Sequence, residues 1–333
     1  MRAEQVRRER GAVLVMVLWV VLAMSMLAMS FSAAIRTEVD AARNVISQKQ
    51  SYYLARSGIE YVIYKIIESQ TALSRTPRAP EEGVESLPAV LSGSISLQMP
   101  NGLARVEIID ETGKINLNLA PAHLIYNLLI MVGLSEQQAD GITDSIEDWR
   151  DADDAHRPNG AESEYYQSLE EPYWAKNSLF DVTEELLLVR GITPEIYFGR
   201  KAMTETGEAV EYYALQKYFT TFTAINRINV NSAPLPVLAA IPDLTYEMAS
   251  EIYTMARQTP IANTSEIMER IPGLPTDIAG YLSTVRSNIY TLISDAQLTN
   301  SEAVNRIRCV VRIDGRSRTG HSVLYWNEAN LEM

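Results

Sequence analysis

From Ala12 to Ile35 the chain carries no charged residue, and the helical pattern continues well past the end of that apolar run. At about 1.5 Å per residue the run covers roughly 36 Å, enough for a bilayer core of about 30 Å. Arg7, Arg8 and Arg10 precede it, and basic residues stay on the cytoplasmic side of a bilayer. The bulk of the chain then lies on the far side. After Arg36 the sequence turns amphipathic: Tyr52, Ala55, Ile59, Val62, Ile63 and Ile66 recur at three- and four-residue spacing, up to about Glu68. That spacing marks a helix laid on a core. Half of this helix suits lipid and half suits the wall of a folded domain.

Three readings of the start compete. A secretory signal would be cut after small residues, such as Ala28-Met29-Ser30 or Ser30-Phe31-Ser32, and lost. A plain membrane anchor would stay uncut. In the third reading the cut falls in front of the apolar stretch. Arg7-Arg8-Glu9-Arg10-Gly11-Ala12 resembles a type IV prepilin leader, which a prepilin peptidase would cut between Gly11 and Ala12, leaving a methylated Ala12 and the whole helix in the mature protein. Pilins carry Glu at the fifth mature position, where it pairs with a neighbour's terminal amine; here that position is Met16. A buried carboxylate without its partner is costly, so Met16 suits a subunit with no neighbour above it, at a fibre tip.

At 333 residues the chain is long enough for two domains. Its formal charge of −13 disfavours nucleic acid and suits divalent cations or basic partners. Cys309 is the only cysteine, so no intrachain disulfide forms. Ile307, Cys309, Val311 and Ile313 alternate with Arg306, Arg308 and Arg312, which places the thiol on the buried face of a strand.

Strand chemistry appears on both sides of a long helical stretch. Ile95, Leu97 and Met99 alternate with Ser94, Ser96 and Gln98, then Asn101-Gly102 signals a hairpin into Arg105 to Asp110. Residues 69–90 read as a loop. Strands return at Arg306 to Ile313 and, after Asp314-Gly315, at His321 to Trp326. The pattern predicts an α+β fold. A leader covers 1–11, the membrane or fibre helix 12–35, a first half-domain 36–115, an inserted helical block 116–300 and the closing strands 301–333.

The helical block holds an internal repeat. Lys114-Ile115-Asn116-Leu117-Asn118-Leu119-Ala120-Pro121 returns as Arg227-Ile228-Asn229-Val230-Asn231-Ser232-Ala233-Pro234, each before an apolar helix. Phe180-Asp181-Val182-Thr183-Glu184-Glu185 is echoed by Thr264-Ser265-Glu266-Ile267, both in the manner of helix N-caps. Two related helical units are expected. Val132-Gly133-Leu134, Arg190-Gly191-Ile192 and Pro272-Gly273-Leu274 also resemble helix-hairpin-helix turns, but they run into Glu136, Glu195 and Asp277, the wrong charge for phosphates. An architectural role is favoured over DNA binding.

The densest acidic cluster is Glu147, Asp148, Asp151, Asp153 and Asp154, with Glu162 and Glu164 following Pro158-Asn159-Gly160. Calcium takes six to eight hard oxygens, and clustered carboxylates on a Gly/Asn loop supply them. Asp151, Asp153 and Glu162 sit at positions one, three and twelve of a calcium loop, but Ala155 and His156 break the EF-hand pattern. Calcium at Asp148, Asp151, Asp153, Asp154 and Glu162 is the expectation, against a solvated acidic loop. His123, His156 and His321 share no ligand or triad spacing, so a structural protein is expected rather than an enzyme.

Gly113-Lys114-Ile115-Asn116-Leu117-Asn118, Asp148-Trp149-Arg150-Asp151-Ala152-Asp153, Arg157-Pro158-Asn159-Gly160-Ala161-Glu162 and Glu184-Glu185-Leu186-Leu187-Leu188-Val189-Arg190-Gly191 together resemble the K-type minor pseudopilins of type II secretion. Met16 agrees, since that family lacks the Glu. The resemblance implies a pilin-like fold: a long N-terminal helix and a small antiparallel β-sheet, with a large all-α domain inserted between strands. It implies a single-pass inner-membrane protein with its bulk in the periplasm. It also implies calcium, I-type and J-type partners with an H-type neighbour, the prepilin peptidase and the inner-membrane secretion platform. No nucleic acid is expected. A type IV pilus minor pilin and a membrane-anchored helix-hairpin-helix DNA-binding protein are the alternatives.

Overall fold

The computed structural model describes residues 2–74, 93–203, 209–271, 273–299, 301, 303–315 and 317–328. A single helix, α1 (Arg2–Ser74), carries the N-terminal half-pattern and the amphipathic half-pattern without a break. Its stretch from Val13 to Val45 is exposed on every side, Leu14, Met16 and Trp19 included. Within Val13–Gln70 it is long and apolar enough to cross a membrane. Burial begins at Ser51. From there Ala55, Ile59, Val62, Ile63 and Ile66 face inward as the spacing predicts, Tyr52 is only half-buried, and Leu54, outside the predicted set, is buried as well. The expected loop begins later than read: residues 69–74 still belong to α1, and residues 75–90 lie outside the described residues.

The buried stripe of α1 packs on a sheet that opens with β1 (Gly93–Met99) and β2 (Gly102–Asp110), paired antiparallel through a two-residue turn at Pro100-Asn101. Alternation decides which side chains meet the helix: Ala104, Val106 and Ile108 are buried against it. At Gly58 the helix comes so close that a Cβ would lie 3.0 Å from Val106 Cγ2 and 3.2 Å from Ala104 Cβ.

The chain then leaves the sheet for the inserted domain, in which two units repeat. The first begins at β3 (Ile115–Asn116), α2 (Ala122–Met131) and α3 (Glu136–Arg150), followed by the short α4 (Ser163–Gln167), a 3-10 turn at Thr183–Leu188 and α5 (Pro194–Phe198). A small hairpin follows, β4 (Arg200–Met203) with β5 (Ala209–Tyr212), and β6 (Phe219–Thr220) closes the unit by pairing parallel to β3. The second unit is β7 (Ile228–Asn229), α6 (Leu235–Ala239), α7 (Tyr246–Gln258), α8 (Thr264–Arg270) and β8 (Leu282–Ser283), with β8 parallel to β7. The helical block therefore carries short ladders at the base of each unit.

Matching side chains hold both units. Asn118 exchanges hydrogen bonds with the Phe180 backbone, its amide donating to the carbonyl at 2.9 Å and its Oδ1 accepting from the N–H at 2.8 Å. Asn231 does the same with Ile261, at 3.0 and 2.8 Å. Arg150, at the end of α3, donates to the carbonyls of Leu117 and Ala120; Arg257, near the end of α7, donates to those of Asn231 and Ala233. The turn after the first helix has a left-handed residue in each unit, Gly133 (φ 100°) and Asp243 (φ 62°). One hydrophobic core, from Ile115 to Leu282, runs through both units.

The chain re-enters the sheet with β9 (Ile289–Leu298), β10 (Val304–Ile313) and β11 (His321–Asn327). The order is β1-β2-β9-β10-β11, antiparallel throughout, so the whole insertion sits between two hydrogen-bonded neighbours. This moves one expected boundary. Residues 289–298, assigned from sequence to the helical block ending at 300, form the central strand. The inserted domain covers the far face of β9 near Tyr290 and Thr291, so both faces are buried there and the alternation that identifies a strand is lost. Polar contacts join the two parts: Lys114 pairs with the buried Glu111 at 2.5 Å, Thr291 donates to Glu111 at 2.7 Å, and the part-buried Arg308 donates to Glu184 at 2.6 Å.

Candidate functional site

Between Arg150 and Phe180 the first unit carries a long excursion, where the second passes from Gln258 at the end of α7 to Ile261 directly. The acidic cluster lies on it. Its foundation is α3, whose start is fixed by a capping box between Ser135 and Gln138. Asp144 and Asp148, one turn apart, fold the Arg157–Gly160 hairpin onto the helix. Asp144 accepts from the Asn159 N–H at 3.0 Å and its side-chain amide at 3.2 Å; Asp148 accepts from the Arg157 N–H at 3.1 Å. The approach is so close that a Cβ on Gly160 would lie 2.0 Å from Asp148 Oδ2. Only glycine fits.

That hairpin delivers Glu162 to Asp151 and Asp153. One carboxylate oxygen from each of the three lies within 4.8 Å of the others. Glu162 is only 4% exposed, and both its carboxylate oxygens are buried without a hydrogen-bond partner. Burial, with the charges of Asp148, Asp151, Asp154 and Asp153, pushes its pKa up to about 7. A cleft of about 660 Å³, lined by Asp154, Gly160, Glu162, Ser163 and Arg190 among others, opens beside it.

Of the five residues expected from sequence, three are gathered. Asp148 is fully buried behind them, held by the Arg157 N–H and flanked by the Arg157 guanidinium at 3.5 Å. Burial raises its pKa, and the Arg157 amide partly offsets this. Asp154 turns aside, its Oδ1 accepting from the Asn177 amide at 2.9 Å. The half-exposed Arg157 also lies 3.6 Å from Glu147 and 3.9 Å from Asp151. Asn177 carries no signal in the sequence, and Arg157 is visible there only as the start of the Arg157–Glu162 motif; a loop Asn and an Arg beside aspartates give no periodic signal. His156 contacts the Arg157 carbonyl and His123 contacts Tyr281, each at 3.0 Å. Cys309 is buried in the sheet core, its thiol pushed up to about 12 by burial. Gly11 and Ala12 lie within the backbone of α1.

Residues 105–199, which contain this excursion, match the family described as "Type II secretion system (T2SS), protein K". A putative type II secretion system protein K from Escherichia coli K12 is 40% identical over 77 residues, 23% of this chain and 24% of that protein. Type II secretion system protein K of Aeromonas hydrophila is 25% identical over 210 residues, covering 57% of this chain and 61% of its own length. The protein K of Pseudomonas aeruginosa PAO1 is 25% identical over 213 residues, covering 61% and 59%. The matches thus span from a quarter to three fifths of these relatives. The fold is similar to one in the crystal structure of the GspK-GspI-GspJ complex from enterotoxigenic E. coli, with a TM-score of 0.63 at 17% identity over 86% of this chain and 99% of the other. The likeness to protein K read from the sequence holds, and so does its fold: a long N-terminal helix, an antiparallel sheet and a helical insertion.

Proposed function

We propose that the chain is a minor pseudopilin of the K type, a structural component at the tip of a type II secretion pseudopilus that serves export of folded proteins across the outer membrane. The observation that carries this is α1. One unbroken helix is bare and apolar from Val13 to Ile35, stays bare to Val45, and walls the sheet from Leu54 onward. Such a helix rests in the inner membrane and leaves it by packing against similar helices, with the sheet and inserted domain held in the periplasm. Cleavage after Gly11 by the prepilin peptidase would retain it and expose Ala12 for methylation. The I-type and J-type pseudopilins named in the related complex are the partners this reading assigns, with an H-type neighbour below and the inner-membrane platform at the base. On this reading the bulky inserted domain caps an end of the fibre. The reading assigns the chain no catalytic role and no nucleic-acid partner. A type IV pilus minor pilin shares the helix and sheet, and the match of residues 105–199 to the protein K family favours the secretion reading.

Calcium belongs to the same reading. The donor set fits: Asp151, Asp153 and Glu162 offer hard oxygens, and the Glu162 carboxylate is buried with no protein donor to satisfy it. Bound there, calcium would neutralise the three carboxylates and tie the excursion to the end of α3. Asp148 and Asp144 hold the hairpin that presents Glu162, and Gly160 gives it room.

The test is mass spectrometry of the mature chain together with photo-crosslinking from the apolar half of α1, in cells that express the secretion operon. A methylated start at Ala12 and adducts with I-type and J-type partners are expected. A start near Ala33, or crosslinks that place residues 116–300 along the fibre shaft, would overturn the proposal.

A further inference from the structure

Asn177 stands opposite the acidic loop in an unusual conformation. Its φ is 46°, in the left-handed region where asparagine is tolerated and most residues are not. Its side-chain amide donates twice to the cluster segment, to the Asp153 carbonyl at 3.1 Å and to Asp154 Oδ1 at 2.9 Å. Both bonds go to consecutive residues of the segment that carries Asp153, and the second removes Asp154 from the gathered set. Asn177 Oδ1 is buried without a hydrogen-bond partner, as are both oxygens of Glu162. A buried acceptor with no donor costs free energy, and the excursion carries three such oxygens, two of them on the gathered Glu162.

We propose that Asn177 is the positioning residue of this cation site. The proposal rests on the cation reading above. The amide pins the Asp153–Asp154 backbone, so that Asp153 points into the cluster with Asp151 and Glu162 while Asp154 serves as an anchor. It acts as a donor: two hydrogens of one neutral group hold a carbonyl and a carboxylate side by side, which neither a carboxylate nor an aliphatic side chain can do. The left-handed backbone aims the amide at this segment.

Three substitutions separate the roles. Asn177→Gly keeps the left-handed backbone and deletes the amide. Asn177→Ala deletes the amide and strains the backbone. Asn177→Asp keeps the shape, removes the donor and adds a negative charge. Calcium titration calorimetry on the full chain in detergent micelles is combined with amide hydrogen exchange of residues 151–155 in EDTA. In N177G the calcium Kd is expected to rise about tenfold or more, as for loss of a group that orients metal ligands, and exchange at Ala155 to quicken, with the melting of the sheet domain unchanged. N177D is expected to bind more weakly than wild type in spite of its extra charge, and N177A no better than N177G. A Kd for N177G within about twofold of wild type, well short of that loss, or tighter binding by N177D, would overturn the positioning role. If the wild-type chain takes up no calcium, the cation reading itself fails and this proposal with it. Should N177A alone lose its melting transition, N177G and N177D still decide.

Discussion

Replacing Glu162 by Gln should stabilise the calcium-free protein at alkaline pH and destabilise the calcium-loaded one. The reason is the displaced titration of this buried group. Its ordinary value of 4.5 is pushed up to about 7 in the fold, and one unit is worth about 1.36 kcal/mol. Ionising Glu162 inside the folded chain therefore costs about 3 kcal/mol more than in the unfolded chain. The sign follows from proton linkage. Between pH 4.5 and about 7 the folded state holds a proton that the unfolded state has lost, so stability falls as pH rises through that window and is level above it. The amide of E162Q carries no charge and has no such window.

The assay is urea unfolding of the full chain in micelles, wild type against E162Q, from about pH 4 to about pH 8.5, a range that brackets the window, once in EDTA and once in calcium. Asp148 also titrates high because it is buried, and its charge is among those that raise Glu162, so the difference between the two proteins reports the coupled pair. In EDTA the two curves should meet near about pH 4 and separate by up to about 3 kcal/mol at about pH 8, with E162Q the more stable. Calcium at about a hundred times its Kd returns about 2.7 kcal/mol to the wild type and little to E162Q, which has lost a ligand, so the gap closes or reverses. E162Q unfolding more readily than wild type in EDTA at about pH 8, or a difference that does not change between about pH 5 and about pH 8, would refute the account of Glu162 as a frustrated carboxylate.

Two further changes test the frame around it. Gly160→Ala sets a Cβ 2.0 Å from Asp148 Oδ2; it should cost roughly 1–3 kcal/mol and abolish the calcium-dependent gain in thermal stability, read by circular dichroism. Lys114→Met strands Glu111, which is 2% exposed, without its cation; a loss of about 3–5 kcal/mol is expected in urea unfolding, largely regained in the double variant with Glu111→Gln.

Periodicity revealed the parts of the fold that depend on one buried face. Tyr52 to Ile66 on α1 and the alternation from Ile307 to Ile313 fell where the packing places them. The paired Ile-Asn-apolar-Asn segments marked two units because the asparagines make the same backbone bonds in each. β9 was hidden because both of its faces are covered near Tyr290. The acidic cluster was visible as composition, yet composition does not say which carboxylates converge. Asp148 and Asp154 are as acidic in sequence as their neighbours, and what separates them is a backbone N–H from Arg157 and an amide from Asn177. Those partners come from residues nine and twenty-three positions away, beyond any local pattern.

The duplicated frame explains how such a site can be carried at all. A buried carboxylate with no donor consumes a large fraction of the net stability of a domain, which is only about 5–15 kcal/mol. The second unit bears no counterpart of the excursion: Arg257 locks the loop equivalent to the one Arg150 locks in the first, Asn231 meets Ile261 as Asn118 meets Phe180, and the chain between takes the short way. The two units share one continuous core, so the second can stabilise the first without taking part in its chemistry. The excursion also leaves from the end of α3 and returns at Phe180, two points that Arg150 and Asn118 fix independently of it. Ordering or loosening of the acidic loop is thereby kept out of the second unit. On this argument, emptying the site should alter hydrogen exchange in residues 151–179 and leave the α7 amides as they were. Equal loosening of both units would mean that the frame is not the support it is taken to be here.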